Sequence, residues 1–319
     1  MNPKPEFSVI IPTFNRAKIL VRAIGSVLNQ SLQNFELFII DDGSTDGTKA
    51  VVESIYDPRV RYLYQEASGG PASPRNRGIA EAQSEWICFL DSDDLWFPNK
   101  LAKVRESIRK TPNASVFCHD LVEQDTAERR GRLMKAGLQN SNSYAEMLVN
   151  GIQIFNSAAT VSKSFLARNS IQVNDCKDFV SCEDYDLWLQ CARYGARFVI
   201  VNEVLGVYWR EMDSLTIDGE LHSRRYQKLL WHHCFEIQTF TSRKWMLYWR
   251  VSAQLKLRRA SICFKQGFYL RMLSALISCT LRNPNVLINF LRMRRLQKIS
   301  SSKSDFENTL TISAFRSSC

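Results

Sequence analysis

Asp91, Asp93 and Asp94 place three carboxylates within four residues, and the apolar run Trp86-Ile87-Cys88-Phe89-Leu90 leads straight into them. That run is apolar throughout rather than alternating, which predicts a short strand buried on both faces. Carboxylates this close repel one another unless positive charge lies between them. Their oxygens suit a hard divalent cation. Mg²⁺ or Mn²⁺ is typically held by one or two carboxylates together with substrate phosphates. The same residues also suit an Asp-rich turn, with Asp94 capping the helix expected after Pro98. On these residues alone both readings stand.

A second acidic cluster, Asp41-Asp42-Gly43-Ser44-Thr45-Asp46-Gly47, follows another apolar run, Phe35 to Ile40. Two strands therefore end in carboxylates. In open α/β sheets ligands bind outside the carboxyl ends of the strands. Two acidic strand ends on one rim can take a nucleotide together with its metal. Ser44 and Asp46 suit the turn and the cap of the next helix. Adjacent Asp41 and Asp42 exceed what a cap requires.

The elements that must position these residues follow from periodicity. Phe7 to Ile11 reads as a first strand stopped by Pro12, and Ala17 to Gln30 as an amphipathic helix. Strands are expected at 35–40, 60–64, 86–90 and 115–119, with helices at 48–55, 74–82 and 101–108. This alternation predicts a mostly parallel sheet flanked by helices. Residues 120–142 are polar and read as a long loop or hairpin excursion. Further on, 158–161 and 198–201 read as strands and 183–194 as a helix. From His222 the pattern is helical and Arg-rich, and the Ser-rich stretch from Ser300 reads as a frayed tail.

The chain has 319 residues and a net charge of +10. Residues 1–221 hold 24 Lys and Arg against 29 Asp and Glu, whereas 222–319 hold 18 against 3. The basic character belongs to the C-terminal part, which suggests an anionic partner for that segment. Its aromatic residues Trp231, Phe235, Trp245, Tyr248 and Trp249 can serve a membrane surface, or pack on the rest of the chain with the basic groups left in water. Nucleic acid is disfavoured, because no binding module accompanies the charge. The nine cysteines form no C-x-x-C pair, which argues against a zinc ribbon and for a reduced, cytoplasmic protein. No signal segment precedes the first strand and no run reaches the roughly 20 apolar residues of a membrane span.

Other α/β chemistries lack their signatures. There is no G-x-G-x-x-G after the first strand, no P-loop and no G-x-S-x-G elbow.

Six stretches together resemble the inverting nucleotide-sugar glycosyltransferases of family 2, which have a GT-A fold. They are Ser8 to Arg16, Ser26 to Gln30, Ile40 to Asp46, Arg75 to Ile79, Phe89 to Asp94 and Glu183 to Trp188. The resemblance covers about residues 7 to 215. It implies a donor site in which Pro12, Thr13 and Asp42 hold the base and ribose, with Arg75 beside the phosphates. Asp91-Ser92-Asp93 resembles the family's D-x-D. Asp93 is then the direct ligand of Mn²⁺ or Mg²⁺, and Asp91 contacts the metal through water or the ribose, with Ser92 on the nucleotide. Asp184 resembles the general base, with Glu183 and Trp188 on the acceptor side. Glu183 beside it can raise the Asp184 pKa. Asp186 faces elsewhere on the helix. The chain departs from the family at Glu211, where a His is often found, and Ser73-Pro74 replaces small residues.

The resemblance divides the chain into a GT-A domain at 1–221, with nucleotide and acceptor halves meeting near 120, and a basic helical extension at 222–319. It implies transfer of a sugar, most readily from UDP, to a hydroxyl of a glycan or lipid-linked acceptor in cell-surface polysaccharide biosynthesis. Such a protein can work peripherally at the cytoplasmic membrane face. The alternative is an idle scaffold that binds the nucleotide sugar without turnover. Sugar, acceptor and oligomeric state are not legible.

Overall fold

The computed structural model describes residues 4–125, 131–137, 143–210 and 219–301. Strands β1 (Phe7–Thr13), β2 (Phe35–Asp41), β3 (Val60–Tyr64) and β4 (Trp86–Phe89) alternate with helices α1 (Ala17–Leu28), α2 (Thr48–Glu53) and α3 (Ala72–Glu81). Next come β5 (Leu95–Trp96), α4 (Lys100–Lys110), β6 (Val116–Asp125), β7 (Arg132–Met134) and α5 (Tyr144–Asn150). A 3-10 turn at Asn156–Ala158 leads into β8 (Ala159–Ser162) and α6 (Lys163–Arg168). A second such turn, Lys177–Phe179, precedes α7 (Glu183–Arg193) and β9 (Phe198–Arg210). Helices α8 (Gly219–His232), α9 (Lys244–Val251), α10 (Ala253–Lys265), α11 (Tyr269–Arg282) and α12 (Pro284–Ser301) follow.

The strands form one nine-stranded sheet in the order β3-β2-β1-β4-β8-β6-β9-β5, with β7 paired to β6. The first four are parallel. β8 runs antiparallel between β4 and β6, and β9 is parallel to β6. The architecture is the α/β class read from the sequence, with helices on both faces and a helical C-terminal part.

Every residue of β1 and β2 is buried, as expected of strands covered on both sides. Alternate residues serve opposite faces. Val9, Ile11, Leu37 and Ile39 pack with Leu20, Ala23, Ile24 and Val27 of α1. Ile10, Phe38, Ile40 and Phe89 pack on the other face with Leu187 and Trp188 of α7. That second cluster continues into α8 and α9 through Tyr226, Leu229, Leu230, Leu247 and Val251. Helices α10 to α12 hold a small cluster of their own around Ala253, Cys279 and Val286.

Three local expectations are corrected. β1 is not stopped by Pro12 but runs to Thr13, with Pro12 opposite Ile40. The β4 register ends at Phe89 opposite Ile10, so the missing Pro12 N–H, on the β4 side, forfeits no ladder bond. β6 runs past His119 and forms a hairpin with β7, Leu121 lying opposite Met134. β9 likewise continues far beyond Val201, because its outer half pairs with both β6 and β5. Glu211 and the tail beyond Ser301 lie outside the described residues.

Candidate active site

The carboxyl ends of β1, β2 and β4 form one rim, with Thr13 opposite Asp41 and Asp91 just beyond β4. Asp91 to Asp94 fold as a turn in which the Asp94 N–H donates to the Asp91 carbonyl at 3.0 Å. Asp94 is not the cap of α4. Its buried carboxylate accepts from the Ser157 hydroxyl and from the Trp209 N–H at 2.9 Å. Ser157 also accepts from the Asp91 N–H at 3.1 Å. One 3-10 turn therefore clamps both ends of the acidic turn. Burial, then the Asp93 and Asp91 charges, pushes the Asp94 carboxyl well above the usual range.

Arg75 is the centre of the site. Its buried guanidinium donates Nη1 to Glu183 Oε1 and Nη2 to Asp91 Oδ1, each at 2.7 Å. Turned toward it, the Asn156 carboxamide oxygen accepts from Nε and Nη2 at 3.1 Å. Burial opposes the Arg75 charge, but Asp91 and Glu183 outweigh it and hold the guanidinium protonated. Its position depends on Gly78, one turn along α3. A Cβ there would fall 2.6 Å from Ile10 Cγ2, so only glycine lets α3 lie this close to β1. Asn76 ties the same helix to the segment before α7, exchanging two hydrogen bonds with the Val173 backbone at 2.7 and 2.8 Å.

Glu183 and Asp184 open α7, where acidic residues oppose the helix dipole. Asp184 is half-buried. Burial, then the neighbouring Glu183 charge, lifts its carboxyl to about 7, while Arg75 and the Tyr185 N–H pull the other way. Behind this start, Ser181 has φ +68° and its hydroxyl lies 3.0 Å from His222 Nδ1 of α8. His222 Nε2 in turn meets Arg258 of α10 at 2.5 Å.

Asp42 is committed to a loop. Its carboxylate accepts from Gln65 at 2.7 Å, from the Ser68 hydroxyl at 2.9 Å and from the Ser68 N–H. The Ser68 N–H is shared between both oxygens, so the roughly four lone-pair sites of the carboxylate are all engaged and a ligand would share or displace a loop contact. Asp41 holds the Ser44 N–H and the Tyr62 hydroxyl, at 2.8 and 2.7 Å. The 68–73 loop, Lys177, Val180 and Glu183 line a cleft of about 120 Å³. Thr13 Oγ1 and Glu183 Oε2 are buried without a hydrogen-bond partner among the described residues. Each such atom costs about 1–3 kcal/mol unless a ligand satisfies it.

The structure thus gathers Asp91, Ser92 and Asp93 with Arg75, Glu183 and Asp184 at one centre, and Pro12, Thr13 and Asp42 on the neighbouring strand ends. One acceptor-side expectation is revised. Trp188 is fully buried, edge-on to Phe89 with centroids 6.4 Å apart. Glu183 gives one carboxylate oxygen to Arg75 and also lines the cleft. Asp186 is also buried, its carboxylate oxygen 2.8 Å from His233 Nε2, while His233 Nδ1 meets the Tyr144 hydroxyl. Asn156 and Ser157 escaped sequence reading, since nothing in their spacing sets them apart, and Asn76 lay within the Arg75 to Ile79 stretch without a role assigned to it.

No group of three or more His, Cys, Asp or Glu side chains converges as a complete metal cage among the described residues. Asp91 and Asp93 are nevertheless oxygen donors on one turn, and their crowding with Asp94 fits a hard cation that shares its shell with phosphates.

A mixed sheet with an Asp-Ser-Asp turn at a strand end and an Arg-linked Glu-Asp pair defines the class as a GT-A-type domain. Residues 8–165 match the family model "Glycosyl transferase family 2", and the chain carries a family 2 glycosyltransferase domain. One relative is the GalNAc(5)-diNAcBac-PP-undecaprenol beta-1,3-glucosyltransferase of Campylobacter jejuni. It is 37% identical over 124 residues, which are 38% of this chain and 40% of the relative. The chain thus spans less than half the length of that curated relative. Among solved structures, S. aureus TarS 1–349 in complex with UDP-GlcNAc is similar with TM-score 0.56 and 17% identity, over 87% of this chain and 92% of that one. The mannosyltransferase PcManGT from Pyrobaculum calidifontis, in complex with GDP-Man and Mn²⁺, gives TM-score 0.57 and 16% identity over 88% of each chain. These two likenesses bear on the fold.

Proposed function

We propose that the chain is a metal-dependent inverting glycosyltransferase that moves a sugar from a UDP-sugar to a hydroxyl of a glycan or lipid-linked acceptor in polysaccharide biosynthesis. The observation that carries this reading is the Asp91–Arg75–Glu183 bridge. It ties the D-x-D turn to Glu183, whose neighbour Asp184 has its carboxyl raised to about 7, which suits a general base. In an inverting transfer the acceptor hydroxyl gives its proton to Asp184. Its oxygen attacks the anomeric carbon from the face opposite the diphosphate. The bond from that carbon to the phosphate oxygen breaks, and the diphosphate leaves with the electron pair. Asp93, with Asp91, would hold a divalent cation, which neutralises the leaving diphosphate when bound. Arg75 adds fixed positive charge beside it. A uracil N–H would reach Asp42 by sharing or displacing one of its loop contacts. An idle scaffold would have no use for a carboxylate held half-protonated near neutrality.

The lipid-linked acceptor is supported by the Campylobacter relative, whose name carries a PP-undecaprenol acceptor. A lipid-linked acceptor would bring the chain to work peripherally at a membrane face. The test is calorimetric titration with UDP, GDP and dTDP, with and without Mn²⁺, on the wild type and Asp93→Ala. UDP binding that requires Mn²⁺ and is lost in the variant is expected. Binding of none of the three would overturn the donor site.

A further inference from the structure

Residues 237–301 contain 13 Lys and Arg and no Asp or Glu. Part of this charge converges. Between α10 and α11 lies a cavity of about 330 Å³ lined by Lys256, Arg259, Leu270, Arg271, Ser274 and Ser278. Among the described residues these three cations form no ion pair with a carboxylate. Burial, then Arg282 and Arg259 nearby, pulls the Lys256 ammonium below its ordinary range. Cations crowd here without an anion.

The wall of this cavity is also the edge of an apolar ridge. At 100° per residue, Leu270, Leu273, Ile277 and Leu281 fall on one stripe of α11. They are 85%, 52%, 54% and 70% exposed. Phe264 and Tyr269, beside the turn at Gly267, add exposed aromatic surface at 60% and 63%. Arg271, Ser274 and Ser278 occupy the adjoining stripe, so cavity and ridge open side by side. A contiguous apolar patch rimmed by polar groups marks an interaction surface.

One partner must satisfy both features. A nucleic acid would answer the cations and leave the ridge wet. A lipid surface offers phosphates at its headgroups and hydrocarbon just beneath. No helix among the described residues is long and apolar enough to cross a membrane, so the fit is to lying on one. We propose that α10 and α11 form a lipid-surface docking site, in which Leu270, Leu273, Ile277 and Leu281 enter the acyl boundary while Lys256, Arg259 and Arg271 hold the phosphate of an anionic headgroup. The proposal deepens the membrane-side reading above and rests on it for its purpose.

The test is flotation of the full chain with phosphatidylcholine vesicles, with and without phosphatidylglycerol, alongside UDP calorimetry. Binding only to the anionic vesicles, weakened by salt, is expected. Replacing Lys256, Arg259 and Arg271 together by Gln should weaken it on the order of a hundredfold, at about 1 kcal/mol per charge. Leu270→Ser with Ile277→Ser should weaken it at least about tenfold. Both variants should keep the wild-type thermal midpoint and UDP affinity. No binding to anionic vesicles, binding unchanged in both variants, or capture of free glycerol phosphate without vesicle binding would overturn the docking site. Loss of UDP binding with vesicle binding intact would strike the transferase reading and leave the docking site standing.

Discussion

The rim beyond β1, β2 and β4 and the helices after residue 237 each concentrate charge of one sign, and they treat it in opposite ways. On the rim, Asp91 and Glu183 meet a counter-ion from their own chain, Arg75, in a buried and directional contact. On α10 and α11, Lys256, Arg259 and Arg271 meet no carboxylate among the described residues. Internal pairing fixes geometry, which catalysis needs. Unpaired, solvated charge beside exposed leucines costs the fold little and stays available to an outside surface. The rim also has its helices pressed close, as Gly78 against Ile10 shows, whereas α11 leaves one whole stripe uncovered.

The comparison can be broken most sharply at Asp184. Asp184→Asn should lower kcat by about 10²–10⁴ while UDP affinity is kept, because only the proton acceptor is removed. Steady-state rates with a UDP-sugar measure it, and full activity would end the base assignment. The wild-type pH profile sharpens the same point. A carboxyl raised to about 7 is protonated, and useless as a base, below that pH. The rate should therefore rise about tenfold per unit up to pH 7 and level off above it.

Arg75→Ala should cost about 3–5 kcal/mol in urea unfolding, because it strands the buried Glu183 and leaves Asp91 unanswered. Loss of a surface cation such as Arg271 should change stability by less than about 0.5 kcal/mol. Equal losses at both would erase the contrast. The smallest expected effect on the rim is Gly78→Ala. Helix propensity favours alanine by roughly 1 kcal/mol, but the Cβ overlaps three Ile10 atoms, so a net loss of about 1–3 kcal/mol is expected.

Much of the rim was legible because its signals are local. Uninterrupted apolar runs announce buried parallel strands, and carboxylates that follow them in sequence must fall at the strand ends. Asp91 and Asp93 were readable for that reason, whereas the Glu183–Asp184 pair, at a helix start, was readable only through its resemblance to the family's general base; the basic bias of the C-terminal part was legible from composition. The extended β6 and β9 were not. The outer half of β6 is largely polar, and Asn202 and Glu203 interrupt the apolar pattern of β9; both continue as strands because they pair with each other, with β5 and with β7.

By itself, then, the sequence determined which residue types stand at each strand end and which segments are amphipathic, since both follow from neighbours a few positions apart. Only the tertiary structure decided what each group meets. Arg75 reaches Glu183 across 108 positions, and Ser157 clamps the acidic turn from 66 positions away. Trp188, on the same short helix as Asp184, turns into the core. The pKa of Asp184, and the ridge left bare on α11, arise from packing between distant segments, and no spacing along the chain encodes such packing.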